Sequence, residues 1–216
     1  MTDLAFEVLD VTPDRFAATP TLTTRLHIVE TGGQVVHAVA LRCQIRIEPQ
    51  RRPYDDAEAT RVRDVFGTRD RWKDTLRPFL WTHASAMVPS FTAETEVDLP
   101  LNCSYDFDVA AAKYLHALRD GVIPLEFMFS GTVFTRGARG FQIEQIPWHK
   151  DVAFAMPASR WHAVMDLHFP GTGWIRASRD TIDALGEYKS RYGLLDWDDT
   201  LAALLRRADD QATVEP

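Results

Sequence analysis

Apolar and polar residues alternate over much of the first two-thirds of the chain. In residues 21–30, Leu22, Thr24, Leu26 and Ile28 share one face while Thr23, Arg25 and His27 share the other, the period of a half-buried strand. Beyond Thr31, Gly32 and Gly33, the run starting at Val35 sets Val39, Leu41, Cys43, Ile45 and Ile47 against Arg42, Gln44, Arg46 and Glu48. The two runs and the glycine turn between them predict a β-hairpin. Phe6, Val8 and Leu9, ahead of turn-forming Thr12, Pro13 and Asp14, predict an earlier strand joined to it.

Helical signals interrupt this pattern. In DDAEATRVRDVFG, acidic residues open the segment, Val62, Val65 and Phe66 recur at helical spacing, and Gly67 stands where a helix ends. Two more strands are predicted at LWTHASAMV and TAETEVDLPLNC. The second turns Thr95, Val97, Leu99, Leu101 and Cys103 to one face, and Pro100 marks it as an edge or bulge. A short helix follows, VAAAKYLHALRDG, with Asp108 as its cap and Gly121 at its end. Strand character returns in VIPLEFMFSGTVF, with Leu125, Phe127, Phe129 and Val133 facing the core, and in FQIEQIPW.

Past Pro157 the period becomes helical. Trp161 and Met165 place a helix through SRWHAVMDLHF, which FPGTG stops before a short strand, WIRAS. Two closing helices follow, opened by Asp180 with Asp183 and by Asp196 with Asp199, the first ended by Gly193. The predicted class is α+β, mainly β: an antiparallel sandwich-like or curved sheet with inserted helices and a C-terminal helical hairpin. The predicted division is a β-rich core at 1–150, a helical subdomain packed on the sheet at 151–209, and a frayed tail at 210–216.

A length of 216 residues suits one elaborated domain, and 45% hydrophobic with 25% charged residues gives ordinary globular composition. A formal charge of -7 repels phosphate backbones and anionic lipid over long range. The acidic start MTDLAFEVLD lacks the basic and apolar segments of a secretory signal, and no apolar run has the length of a membrane span, so a cytoplasmic protein is expected. Cys43 and Cys103 are the two cysteines, distant and within strand-like runs, and are expected as buried thiols.

The chemical candidates are few. His162, Asp166 and His168 have the donor types of an iron or zinc site. On a helix, however, His168 lies about 240° around the axis from His162, so the three diverge. His83 beside Trp81, and His149 beside Trp148, suggest aromatic-lined polar positions; His27, His37 and His116 have no partner motif. Ser130 lacks the GxSxG elbow of a hydrolase and reads as a strand residue beside a bulge-forming glycine. Gly171 and Gly173 lack the flanking elements of a phosphate loop.

The order strand, helix, turn, helix at the C-terminal end is also that of ribbon-helix-helix DNA-binding modules, with Arg176 and Ser178 at the base-reading positions, though acidic residues offset the basic ones. Arginines at 51, 52, 61, 63, 69 and 71 form the densest basic region, interleaved with carboxylates that predict salt-bridged solvated faces. Within it Arg51, Arg52, Trp72, Phe79 and Trp81 are the predicted partner-binding residues, because arginine and tryptophan are frequent interface anchors.

Through RIEPQRRPY, DVFG, LRPFLWT, EVDLPLNCSYDFDVAAAKYLHALRDGVIPLEFMFSGTVF, FPGTGWIR and LDWDDTLAALL, nearly the whole chain resembles an uncharacterised actinobacterial family, a domain of unknown function. Its members are often encoded beside genes for an uptake nickel–iron hydrogenase and its maturation proteins. The resemblance implies an accessory, assembly or maturation role with a hydrogenase subunit or maturation factor as partner. It supplies no catalytic residues, and the cysteine patterns of an iron–sulfur carrier are missing. FEVLDVTPDRFAATP and the run after it look like the opening of the export chaperone family that binds unfolded chains on a β-sheet; the likeness ends near residue 50. No motif identifies a reaction. The leading expectation is a non-enzymatic, cofactor-free protein that binds another protein; a metal site at His162, Asp166 and His168 and DNA binding through Arg176 and Ser178 are the alternatives.

Overall fold

The alternating segments do form strands, and they pair in two antiparallel sheets. A computed structural model describes residues 2–103, 109–137, 140–173 and 175–212. The smaller sheet has the order β1-β2-β6, from Leu4–Pro13, Thr21–Glu30 and Glu94–Asn102. The larger has the order β4-β3-β7-β8, from Phe79–Val88, Val35–Ile47, Val122–Gly137 and Gly140–Gln145. Two further strands were not anticipated: β5 (Phe91–Thr92) pairs with β3, and β9 (Asp151–Pro157) pairs with β7. For β9 a signal existed, since Val152, Phe154 and Met156 alternate with Asp151, Ala153 and Ala155. The fold is α+β and mainly β.

The predicted faces are the observed ones. Leu22, Leu26 and Ile28 of β2 meet Leu41, Cys43, Ile45 and Ile47 of β3 and Leu125, Phe127 and Phe129 of β7 in one core. Phe6 of β1 stacks on Phe129 of β7 at 4.3 Å between ring centroids, joining the two sheets. A bulge in β1 between Val8 and Asp10 leaves Leu9 outside and restores Val11 to the core face. Pro100 lies on β6, an edge strand paired with β2, where its missing N–H is tolerated.

The hairpin between β2 and β3 does not exist. β2 pairs with β1 and β6, while β3 pairs with β4, β5 and β7, so the chain crosses from one sheet to the other after Glu30. The Glu30 carboxylate, buried, accepts the N–H groups of Gly32 (2.9 Å) and Gln34 (2.7 Å), and that of Asp3 at 3.3 Å. Those bonds stabilise a crossover where a two-stranded turn was expected.

Helices close one end of the space between the sheets. The expected helix after residue 55 is two short ones, α1 (Asp56–Arg61) and α2 (Arg63–Phe66), separated at Val62 and followed by α3 (Trp72–Thr75). Asp55 caps α1 by accepting the Glu58 N–H at 2.6 Å. α4 (Ala110–Ala117) and α5 (Ala158–His168) complete this group; Asp108, expected to cap α4, lies outside the described residues. Phe66, Phe79 and Tyr114 pack edge to face at 5.7 to 6.1 Å, and Trp161 of α5 is buried against Trp81 at 6.4 Å.

Contacts divide the chain into two compact units at Trp174/Ile175, so Asp151–Pro157 and α5 belong with the sheets. The second unit holds α6 (Arg179–Arg191) and α7 (Trp197–Ala212). Ser178, and not the Asp180–Asp183 pair, caps α6 by accepting the Thr181 N–H at 3.2 Å. Asp196 caps α7 as expected, 2.7 Å from the Asp199 nitrogen. Arg207 lies over the rings of Tyr192 (4.3 Å) and Tyr188 (5.5 Å), tying α7 to α6.

Candidate functional site

The region around the arginines is built inward. Arg51 is half-exposed and reaches Glu48 at 3.4 Å and Glu126 at 3.9 Å. Arg52 is withdrawn from solvent, 2.6 Å from Glu58, with side-chain exposures of 8% and 10%. That pair corrects the expectation that all the interleaved charges are solvated; Arg69 with Asp56, at 2.9 Å, is a surface pair of the expected kind. Trp72 lies edge-on to Tyr54 at 5.2 Å beneath Arg69, and Phe79 and Trp81 pack against the core. Tyr54 and Tyr114 share a 2.8 Å hydroxyl hydrogen bond, and burial pushes the Tyr114 phenol up to about 12. The region's aromatic surface is thus mostly spent on the helical plug.

His162, Asp166 and His168 do not converge. His162 donates its Nε2 hydrogen to the Leu118 carbonyl at 2.6 Å, Asp166 is exposed, and the His168 Nε2 is buried without a hydrogen-bond partner. Among the described residues no group of three His, Cys, Asp or Glu side chains is placed to hold a metal. Cys43 and Cys103 are free and buried, and desolvation pushes each thiol up to about 12. Of the strand expected at WIRAS, the described residues 175–178 form none, and Ser178 is engaged as the α6 cap. In the single chain Arg176 and Ser178 thus lie on the loop that leads into α6.

The outer face of the larger sheet presents a different surface, legible only from register. Met87 of β4 is opposite Ala40 of β3, which is opposite Thr132 of β7. In the next row Ala38 is opposite Phe134, and Phe134 opposite Ile143 of β8. Met87 is 67% and Ile143 64% exposed, so this apolar strip faces solvent. Beside it lies a shallow depression of about 470 Å3 walled by Arg42, Gln44, His83, Ser85 and Ser130. No hydrogen bond joins Ser130 to His83 among the described residues, so the pair lacks the nucleophile–base contact of a hydrolase. Gly131, next to Ser130, is in register and forms no bulge; the irregularity lies between Val36 and Ala38 of β3. Trp148 is 89% exposed in the β8–β9 loop, edge-on to His149 at 5.8 Å.

Fold and surface define a two-sheet, mainly β protein with a helical plug and an open sheet face. The chain belongs to a family of unknown function, DUF6084, whose family model matches residues 1–213. No curated protein matches it. Among solved structures, similarity is found to β-glucosidase 3B from Thermotoga neapolitana, at 14% identity over 71% of this chain and 17% of that one, with a TM-score of 0.28. Similarity is also found to the β-glucosidase from Paenibacillus barengoltzii, at 15% identity over 73% and 15% of the two chains, TM-score 0.25. The Kluyveromyces marxianus β-glucosidase gives 9% identity over 72% and 15%, TM-score 0.25. The chain thus spans less than a fifth of each glucosidase, a likeness that carries no functional argument. Among the described residues no helix is long and apolar enough to cross a membrane.

Proposed function

We propose that this is a non-enzymatic accessory protein of the cytoplasm that binds a protein partner on the outer face of its larger sheet. The observation that carries this reading is the apolar strip of Met87, Ala40, Ala38, Phe134 and Ile143 beside the polar depression of Arg42, His83 and Ser130. A contiguous apolar surface rimmed by hydrogen-bonding groups is the anatomy of a protein interface, and a paired sheet presents it without an ordering cost. The family resemblance supplies the class of partner: a subunit or maturation factor of a redox metalloenzyme such as a hydrogenase.

The test is co-purification from native cells, identification of the retained chain, and its reconstitution with purified protein. Met87→Asp combined with Ile143→Asp is expected to weaken binding at least about tenfold, a loss near 1.4 kcal/mol, with unchanged thermal unfolding. Equal affinity of the double variant would remove this face as the interface.

A further inference from the structure

Helices α1, α2, α4 and α5 border an open cleft of about 470 Å3. Its polar lining comprises Arg61, Asp64, Lys113, His116, Arg119 and His162. Arg61 is fixed to the wall by an Nε–H bond to the Ala117 carbonyl at 2.6 Å, which uses one of its five donors. His162 is fixed likewise: its Nε2–H donates to the Leu118 carbonyl at 2.6 Å, which assigns the tautomer. Its ring stands 6.2 Å from that of His116. Lys113 lies 2.6 Å from Asp64, and among the described lining residues Asp64 is the one carboxylate beside the cations Arg61, Lys113 and Arg119. In a chain of formal charge -7, this is a local reversal of sign in a concave site.

We infer that the cleft is a binding site for a doubly charged oxyanion of the phosphate class, held by Arg61, Lys113 and Arg119 with His116 and His162 at its floor. Guanidinium, ammonium and imidazole donors converging from three helices and a loop suit an acceptor that offers oxygens in several directions. Among the described residues, His116 interacts with His162 and Asp166 of α5 and shares the cleft lining with Lys113 of its own helix and with Arg61 and Asp64. Desolvation, and then His162, hold its imidazole below the ordinary histidine range, with Asp166 opposing. A bound dianion opposes that depression by favouring the charged form, so binding raises the His116 pKa and takes up protons where His116 is otherwise neutral.

The experiment follows the histidine ring resonances by NMR during titration with inorganic phosphate, at ionic strength held constant with chloride. Phenyl phosphate is titrated in parallel. Saturable shifts of His116 and His162 in the millimolar range or tighter are expected, with His83 unmoved and a higher His116 pKa in phosphate than in chloride. Arg119→Gln, an exposed substitution, should weaken binding at least about tenfold, and His116→Gln should abolish the proton uptake. Tighter binding of phenyl phosphate assigns the site to phosphomonoesters, and tighter binding of inorganic phosphate assigns it to the free ion. Shifts that do not saturate, that chloride reproduces, or that survive Arg119→Gln unchanged overturn the inference.

Discussion

Arg52 and Glu58 show what a single pair contributes here. The guanidinium is 2.6 Å from the carboxylate, both side chains are nearly buried, and Arg52 also lies over the Tyr54 ring at 5.0 Å. Glu58→Gln keeps the shape but leaves the Arg52 charge uncompensated in a site with little water. Urea unfolding at neutral pH should show a loss of about 3 kcal/mol, toward the low end of what breaking a buried pair costs. A loss of only a few tenths would place the pair among surface ion pairs. In the sequence, Glu58 is one acid among several between arginines, and nothing in that spacing distinguishes it from Asp56, whose pairing with Arg69 is fully at the surface. Burial separates the two, and burial depends on α4 arriving from more than fifty residues away to cover Tyr54.

At the scale of elements, β7 is the strand on which the larger sheet depends, since it pairs with β3, β8 and β9. Gly131 lies within it at φ +141°, and a Cβ there would overlap the Ala40 carbonyl oxygen of β3. Gly131→Ala must therefore both adopt a backbone region closed to L side chains and push β3 away. A fall in Tm of at least about 5 °C is expected, corresponding to about 2 kcal/mol; thermal unfolding within a degree of the parent would show that the two strands separate at little cost. Alternation in FMFSGTVF was sufficient to place Phe127, Phe129 and Val133 on the core face. The role of the glycine was not, because close approach to Ala40 is a property of two strands and neither carries a mark of it.

For the whole molecule, the division at Trp174/Ile175 leaves the entire two-sheet core, with α5 as its plug, in the first unit. A chain ended at Gly173 should unfold cooperatively, with a Tm within a few degrees of the full chain, by calorimetry and circular dichroism together. A broad, non-coincident transition would show that α6 and α7 are required for the first unit's cooperativity. What the sequence by itself determined is which residues face inward: side-chain direction has period two in a strand and near 3.6 in a helix, so Leu22, Leu26, Leu41, Ile45, Trp161 and Met165 declared their burial locally. What only the tertiary structure decided is which inward faces meet. β2 and β3 are adjacent in the chain and equally apolar on one side, which suits a hairpin or two opposed sheets; the choice fell to pairing with β1, β6, β4 and β7 and to the buried Glu30 that holds the crossover. The open sheet face and the cationic cleft share that origin, because each gathers residues from several elements whose proximity is a result of folding.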